Sequence, residues 1–163
     1  MKKQILAAAL MMLGGNALAT SDTTYKVTVQ VTQGDVILAP YTTLVRDGEE
    51  FRYAETKEID ITKEVLTTAD GKSKETLQPL KVGFDFRATP RQQMNGDILL
   101  DFNYEDVRLE QMREIPVGDV NMKLPDVRAI TAGSQIAVEE NAPNVLVDGA
   151  SKDARVIFTI EKQ

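Results

Sequence analysis

Tyr25, Val27, Val29 and Val31 alternate with Lys26, Thr28, Gln30 and Thr32. A period of two puts the first set on one face of an extended chain, so this stretch predicts a strand with one buried side. The pattern recurs along the chain. Gln33-Gly34-Asp35 reads as a turn before the apolar run Val36–Ala39, and Pro40 cannot donate to a ladder, so that run ends, bulges or follows an edge there. Thr42–Arg46 predicts a short strand, and Asp47-Gly48 a turn into Glu50–Tyr53. Glu58–Leu66 alternates through Ile59 and Ile61, and Asp70-Gly71 marks a turn before Thr76–Ala88.

The segment from Val82 to Val107 carries the sharpest pattern, and it predicts a hairpin. Val82, Phe84, Phe86 and Ala88 form one apolar face, and Ile98, Leu100, Phe102 and Tyr104 form its counterpart. Two registers keep both faces intact. Setting Asp85 opposite Asp101 opposes like charges, whereas setting Arg87 opposite Asp101 and Phe86 opposite Phe102 gives an ion pair and an aromatic pair. The second is expected. Asp106–Met112 fits neither period cleanly, because Val107, Leu109 and Met112 are unevenly spaced, and a short helical turn is expected there.

Further on, Asn121–Leu124 stops at Pro125, Val127–Thr131 ends near Gly133, and Gln135–Glu139 presents Ile136 and Val138 on one side. Asn141–Asn144, Asp148-Gly149 and the polar tail Ala150–Asp153 have turn chemistry. Val145–Val147 and Arg155–Glu161 are then placed to pair. Many short strands with regular turn signals predict an all-β protein, an antiparallel β-sandwich of immunoglobulin-like kind.

The N-terminus does not fit this scheme. Lys2 and Lys3, the apolar run Ile5–Leu13 and Ala17-Leu18-Ala19 match the charged, apolar and small-residue regions of a secretory signal peptide. Cleavage after Ala19 would leave Thr20–Gln163 as a single domain in the periplasm or another exported compartment. The apolar run is too short to span a bilayer. An eight-stranded membrane barrel is disfavoured by the absence of Trp and the few Phe and Tyr available for aromatic girdles.

Composition narrows the chemistry. The chain holds no His and no Cys, so a Ser-His-Asp triad, a Cys nucleophile, a disulfide and the usual zinc or copper ligands are all excluded. Its net charge of −6 loses two further positive units with the leader, which argues against nucleic acid and anionic membranes as partners. No cofactor is implied, and the chain is expected not to be an enzyme.

Asp97, Asp101, Asn103 and Glu105 lie near one another along one strand face and offer oxygen ligands of the kind Ca²⁺ takes. One face supplies too few for its coordination shell, so a solvated acidic face is the expected reading. Paired carboxylates for glycoside hydrolysis are no more specific among 25 acidic residues. The loop Pro90–Gly96 is polar and exposed in pattern. Arg91, Gln92, Gln93 and Asn95, with Arg87 beside them, are the candidate interaction residues. The terminal strands Tyr25–Thr32 and Arg155–Glu161, if at sheet edges, would pair with another chain and build a homo-oligomer.

Gly83, Phe86, Pro90, Asn95-Gly96 and Ile98-Leu100-Phe102 together resemble the C-terminal β-domain of bacterial secretins. Those proteins are the outer-membrane channels of type II and III secretion and of type IV pili. The resemblance covers about residues 81–149 and continues through Leu124-Pro125-Asp126-Val127-Arg128 and Ile136-Ala137-Val138. Secretins are several times longer and carry ring-forming domains and a membrane-inserting hairpin. Their glycine-rich signature is replaced here by Glu139-Glu140-Asn141-Ala142-Pro143. The resemblance therefore implies a small relative that binds protein partners in the cell envelope, as an accessory of a secretion, pilus or export machine. A subunit of a pilus or surface fibre is the alternative, and a carboxylate-dependent hydrolase a more remote one.

Overall fold

A computed structural model describes residues 23–148 and 154–163. The expected leader Met1–Ala19 and the tail Ala150–Asp153 lie outside the described residues. Among those described, the chain forms β1 (Thr24–Gln33), β2 (Val36–Ile37), β3 (Tyr41–Arg46), β4 (Phe51–Thr67), β5 (Ser73–Gln92), β6 (Ile98–Val117), β7 (Val120–Val138), β8 (Asn144–Asp148) and β9 (Ala154–Lys162). The expected all-β, antiparallel architecture is present as two sheets with no closed barrel. One sheet runs β2-β1-β9-β8, with β3 also paired to β1, and the other runs β4-β5-β6-β7.

The core lies between the sheets. Tyr25, Val27, Val29 and Val31 of β1 are fully buried, as are Val156, Phe158 and Ile160 of β9. Phe84 and Phe86 of β5 and Leu100 and Tyr104 of β6 oppose them from the second sheet. Phe51 joins the layers, its ring 6.1 Å from Phe158 and 5.9 Å from Phe86. Burying one large apolar side chain contributes about 1.5–3 kcal/mol. The alternating faces read from sequence therefore supply most of what holds the sheets together.

Four expectations need correction. No helical turn exists at 106–112, because β6 runs unbroken from Ile98 to Val117. The irregular spacing there is a β-bulge between Leu109 and Gln111, where one extra residue shifts which side chains face inward. The hairpin register is neither of the two considered. Thr89 opposes Asp101, Arg87 opposes Asn103 and Phe86 opposes Tyr104. The strands persist to Gln92 and Ile98, so the connection is shorter than the expected loop Pro90–Gly96, and both faces stay intact in this third register.

The terminal strands are not edges. β1 and β9 pair with each other along Tyr25–Gln33 and Ala154–Lys162, and each has another neighbour on its far side. Lastly, several expected short strands fuse. Pro125 and Gly133 lie within β7, and the expected strands Glu50–Tyr53 and Glu58–Leu66 merge into one, β4, which starts at Phe51.

The prolines inside these long strands sit where a neighbour is missing. β5–β6 pairing spans only Gly83↔Val107 to Gln92↔Ile98, so Pro79 and Pro116 lie where β5 and β6 no longer pair. Pro90 lies past the last β4–β5 pair, Phe51↔Ala88, and Pro125 is on the edge strand β7. A residue without an N–H is tolerated at such places.

Gly83 marks the split. Its φ is +113°, and a Cβ there would collide with the carbonyl oxygen of Glu55. Only glycine accommodates that backbone. Beyond this point the sheet divides into two hairpin arms, β4–β5 and β6–β7, each extending roughly ten residues, or about 33 Å at the usual rise. The arms close on each other. The Lys123 N–H donates to Thr62 Oγ1 at 2.7 Å, and the Ser73 N–H donates to Asp119 Oδ1 at 2.7 Å.

Candidate interaction surfaces

The β5–β6 connection is built as a closed loop. The Gln93 N–H donates to the Asp97 carbonyl at 2.8 Å, and the Gly96 N–H to the Gln93 carbonyl at 2.9 Å. Gly96 supplies the positive φ, +92°. Asn95 braces the loop from within, with Nδ2 donating to Asp97 Oδ2 at 2.7 Å and Oδ1 accepting the Asp97 N–H at 3.2 Å.

Asp47 anchors the loop base to the first sheet. Its Oδ1 accepts from the Gln92 N–H at 2.6 Å and from the Tyr25 hydroxyl at 3.2 Å. Burial, reinforced by the Asp47 carboxylate, pushes the Tyr25 phenol up to about 12.

The structure therefore brings Arg91, Gln92, Gln93 and Asn95 together at one end of the second sheet. It assigns internal bonds to three of them: Asn95, the Gln93 backbone, and Gln92, whose Oε1 also accepts from Lys162 Nζ at 3.4 Å. Arg91 and Met94 are left exposed.

Arg87 serves elsewhere. It lies 3.2 Å from Asp85 on its own strand rather than beside Asp101. Arg52 grips the same carboxylate with two hydrogen bonds, at 2.8 and 2.6 Å. Lys81 stands 3.6 Å away. The hydrogen bonds from Arg52 and then Arg87 outweigh desolvation and hold the Asp85 carboxyl well below the usual carboxylate range.

Asp97, Asp101, Asn103 and Glu105 are exposed along β6 and the loop before it. Among the described residues, no group of three or more acidic, His or Cys side chains is placed to hold a metal ion.

Two features escaped sequence reasoning. Asp106, inside the supposed helical turn, is completely buried and faces the core. Gln33 Nε2 reaches it across the sandwich at 2.9 Å, and Arg108 pairs with it at 2.5 Å. Its alternation with Tyr104 and Phe102 was the available signal, masked by the bulge that follows.

The second feature is a pair of open edges. Among the described residues β4 pairs only with β5 and β7 only with β6, so each outer strand of the four-stranded sheet has a flank without ladder pairing. An alternating pattern marks a strand but carries no record of its neighbours, so the sequence left open which strands are edges.

No family model matches the chain, and no curated protein matches it by sequence. Solved structures do show likeness. The chain is similar to the InvG secretin domain β-barrel of the Salmonella SPI-1 injectisome, at 11% identity and a TM-score of 0.49, covering 86% of this chain and 59% of that one. A second InvG structure, the cryo-EM secretin from the same injectisome, aligns at 13% identity and a TM-score of 0.47, covering 86% of this chain and 61% of that one. The chain thus spans less than two thirds of the InvG chains it matches, and it is an all-β protein with a weak, partial structural resemblance to a secretin domain.

Proposed function

We propose that this chain is an exported, non-catalytic β-domain that acts as an assembly module in the bacterial envelope, within a secretion, pilus or export machine. Its binding elements are the open strand edges of the second sheet. The observation that carries this reading is the pair of outer strands, β4 with 17 residues and β7 with 19, each paired to a single neighbour among the described residues and open along its flank until the arms meet at Thr62 and Lys123. A free edge presents a row of main-chain donors and acceptors. A sheet either blunts such an edge or uses it to take on another strand. The leader-like pattern at Lys2-Lys3, Ile5–Leu13 and Ala17–Ala19 supports export. The lack of His and Cys supports work by contact rather than turnover.

The test is capture of partners from a native envelope extract by the purified full chain. Envelope proteins or further copies should be retained, and Val127→Lys with Thr131→Lys on the β7 flank, or charge changes on β4, should reduce retention while circular dichroism stays unchanged. Retention indifferent to changes on both flanks would overturn the proposal.

A further inference from the structure

Resting on that edge-assembly reading, we propose that Phe51–Ile61 of β4 is a self-complementary docking edge. Its partner is a second copy of this chain, paired antiparallel about a two-fold axis at Thr56.

Only part of the open flank is available. Beyond Ile61, Thr62 is held between Glu75 and the Lys123 N–H, so the distal edges of β4 and β7 already face each other. From Phe51 to Ile61, the flank of β4 away from β5 makes no backbone hydrogen bond among the described residues. β4 also contains neither Pro nor Gly, whereas β7 carries Pro125 and Gly133. Of the two flanks, β4 is the more regular template.

The side chains select one register. With Thr56 opposite its own copy, Glu55 falls opposite Lys57, and the symmetry makes that pair occur twice; Arg52, which already grips Asp85, faces Asp60. On the core-facing side, Tyr53 falls opposite Ile59 and Phe51 opposite Ile61. That face is apolar on either side of the axis and carries the Glu55–Lys57 pairs at its centre.

Neighbouring registers fail. Sliding the partner by two residues in either direction sets Glu55 against Glu55 or Lys57 against Lys57. Sliding it by one places the apolar face against the polar one. Charges on a free strand ordinarily keep other strands away, but here each charge in the segment except Glu58 meets its opposite, and Glu58 meets Ala54. Glu55, Thr56, Lys57 and Glu58 are all exposed and so available to a second copy.

The absence of native cysteine makes the test direct, since Thr56→Cys supplies the chain's sole thiol. Opposed residues in an antiparallel pair have Cα atoms about 4.5–5.5 Å apart, within the span of a disulfide. Mild oxidation of the full chain carrying Thr56→Cys should give a covalent dimer, and the same chain carrying Ser134→Cys on β7 should not. Sedimentation of the parent should show a monomer–dimer equilibrium. Lys57→Glu should weaken it at least about ten-fold by opposing like charges. The double variant Glu55→Lys/Lys57→Glu, which restores opposite charges across the axis, should recover dimerisation. Circular dichroism of each variant checks that the fold is retained.

The inference is overturned if Thr56→Cys links no better than Ser134→Cys, or if Lys57→Glu dimerises like the parent. Cross-linking of Thr56→Cys to Ser134→Cys in a mixture would also overturn it, while leaving edge assembly standing. A monomer whose partner capture ignores every edge variant would remove both readings.

Discussion

Gln33 Nε2 donates to Asp106 Oδ1 at 2.9 Å, and this contact joins the end of β1 in one sheet to β6 in the other, where the sandwich gives way to the arms. Arg108 holds the second oxygen of the same carboxylate. The Tyr104 hydroxyl beside them is buried without a well-formed hydrogen bond among the described residues, and burial pushes its pKa up. Burying a carboxylate is costly unless it is paired, so the partners of Asp106 should not be equivalent.

Arg108→Ala would leave that carboxylate buried without its ion pair, and is expected to destabilise by about 3 kcal/mol or more. Gln33→Ala removes one hydrogen bond and should cost about 1–2 kcal/mol. Urea unfolding followed by circular dichroism would rank the two. Equal losses would show that the ion pair is not what holds Asp106 inside.

At Gly83, alanine meets both a positive φ and the Glu55 carbonyl, so Gly83→Ala should destabilise by roughly 2–4 kcal/mol. Gly96→Ala is the matched control. Its φ is also positive, but nothing lies within 4 Å of the added carbon, so about 1–2 kcal/mol is expected from backbone strain alone. Thermal unfolding of the pair would separate steric collision from strain.

Thr62→Val keeps the shape of the side chain and removes the hydroxyl that accepts from Lys123. The expected cost is about 1–2 kcal/mol, from a donor left without its partner. Hydrogen exchange gives the local reading. The Lys123 amide should exchange faster in the variant while amides of Val27 and Phe158 in the core keep their protection.

Stability should depend on pH at both extremes. The folded-state pKa of Asp85 lies below its unfolded value, so its contribution is complete at neutral pH. It is lost as pH falls from about 4 downward. Asp85→Asn should flatten that acid limb. Tyr25 behaves oppositely, with a folded pKa raised from 10.0 to about 12. Its contribution is complete below pH 10.0 and is lost between 10.0 and about 12, so Tyr25→Phe should flatten the alkaline limb. Urea midpoints measured across pH would show both effects.

Arg91→Glu should leave stability within about 0.5 kcal/mol of the parent, because its side chain is exposed and lies outside the loop's hydrogen bonds. Asn95→Ala should cost about 1 kcal/mol by removing the brace to Asp97. If the loop contacts a partner, Arg91→Glu changes capture without changing the melting temperature. Unchanged capture would remove the loop from the binding surface.

Several features were legible residue by residue. The alternation of Tyr25, Val27, Val29 and Val31, and of Phe84, Phe86, Leu100, Phe102 and Tyr104, names the buried faces that the fold uses. Gly34, Gly48, Gly71 and Gly96 mark turns, and all four have positive φ. The acidic balance and the missing His and Cys were read directly from composition.

The order and length of strands were not legible. Pro125 reads as a strand end when its neighbours are unknown, yet it is harmless on a flank where no N–H is required. Arg87 suggested an ion pair with Asp101, but Asp85, two residues away and gripped by Arg52, holds it instead.

By itself the sequence determined which side chains face inward, because a period of two is a local property of an extended chain. It also determined which chemistries are absent, because composition does not depend on fold. The tertiary structure alone decided which strands are neighbours and which flanks stay open. It likewise decided that Asp106 lies buried and that the second sheet splits at Gly83. Those outcomes rest on contacts between residues far apart in the chain, such as Gln33 with Asp106 and Thr62 with Lys123. Local patterning constrains a strand's faces but leaves its partners free.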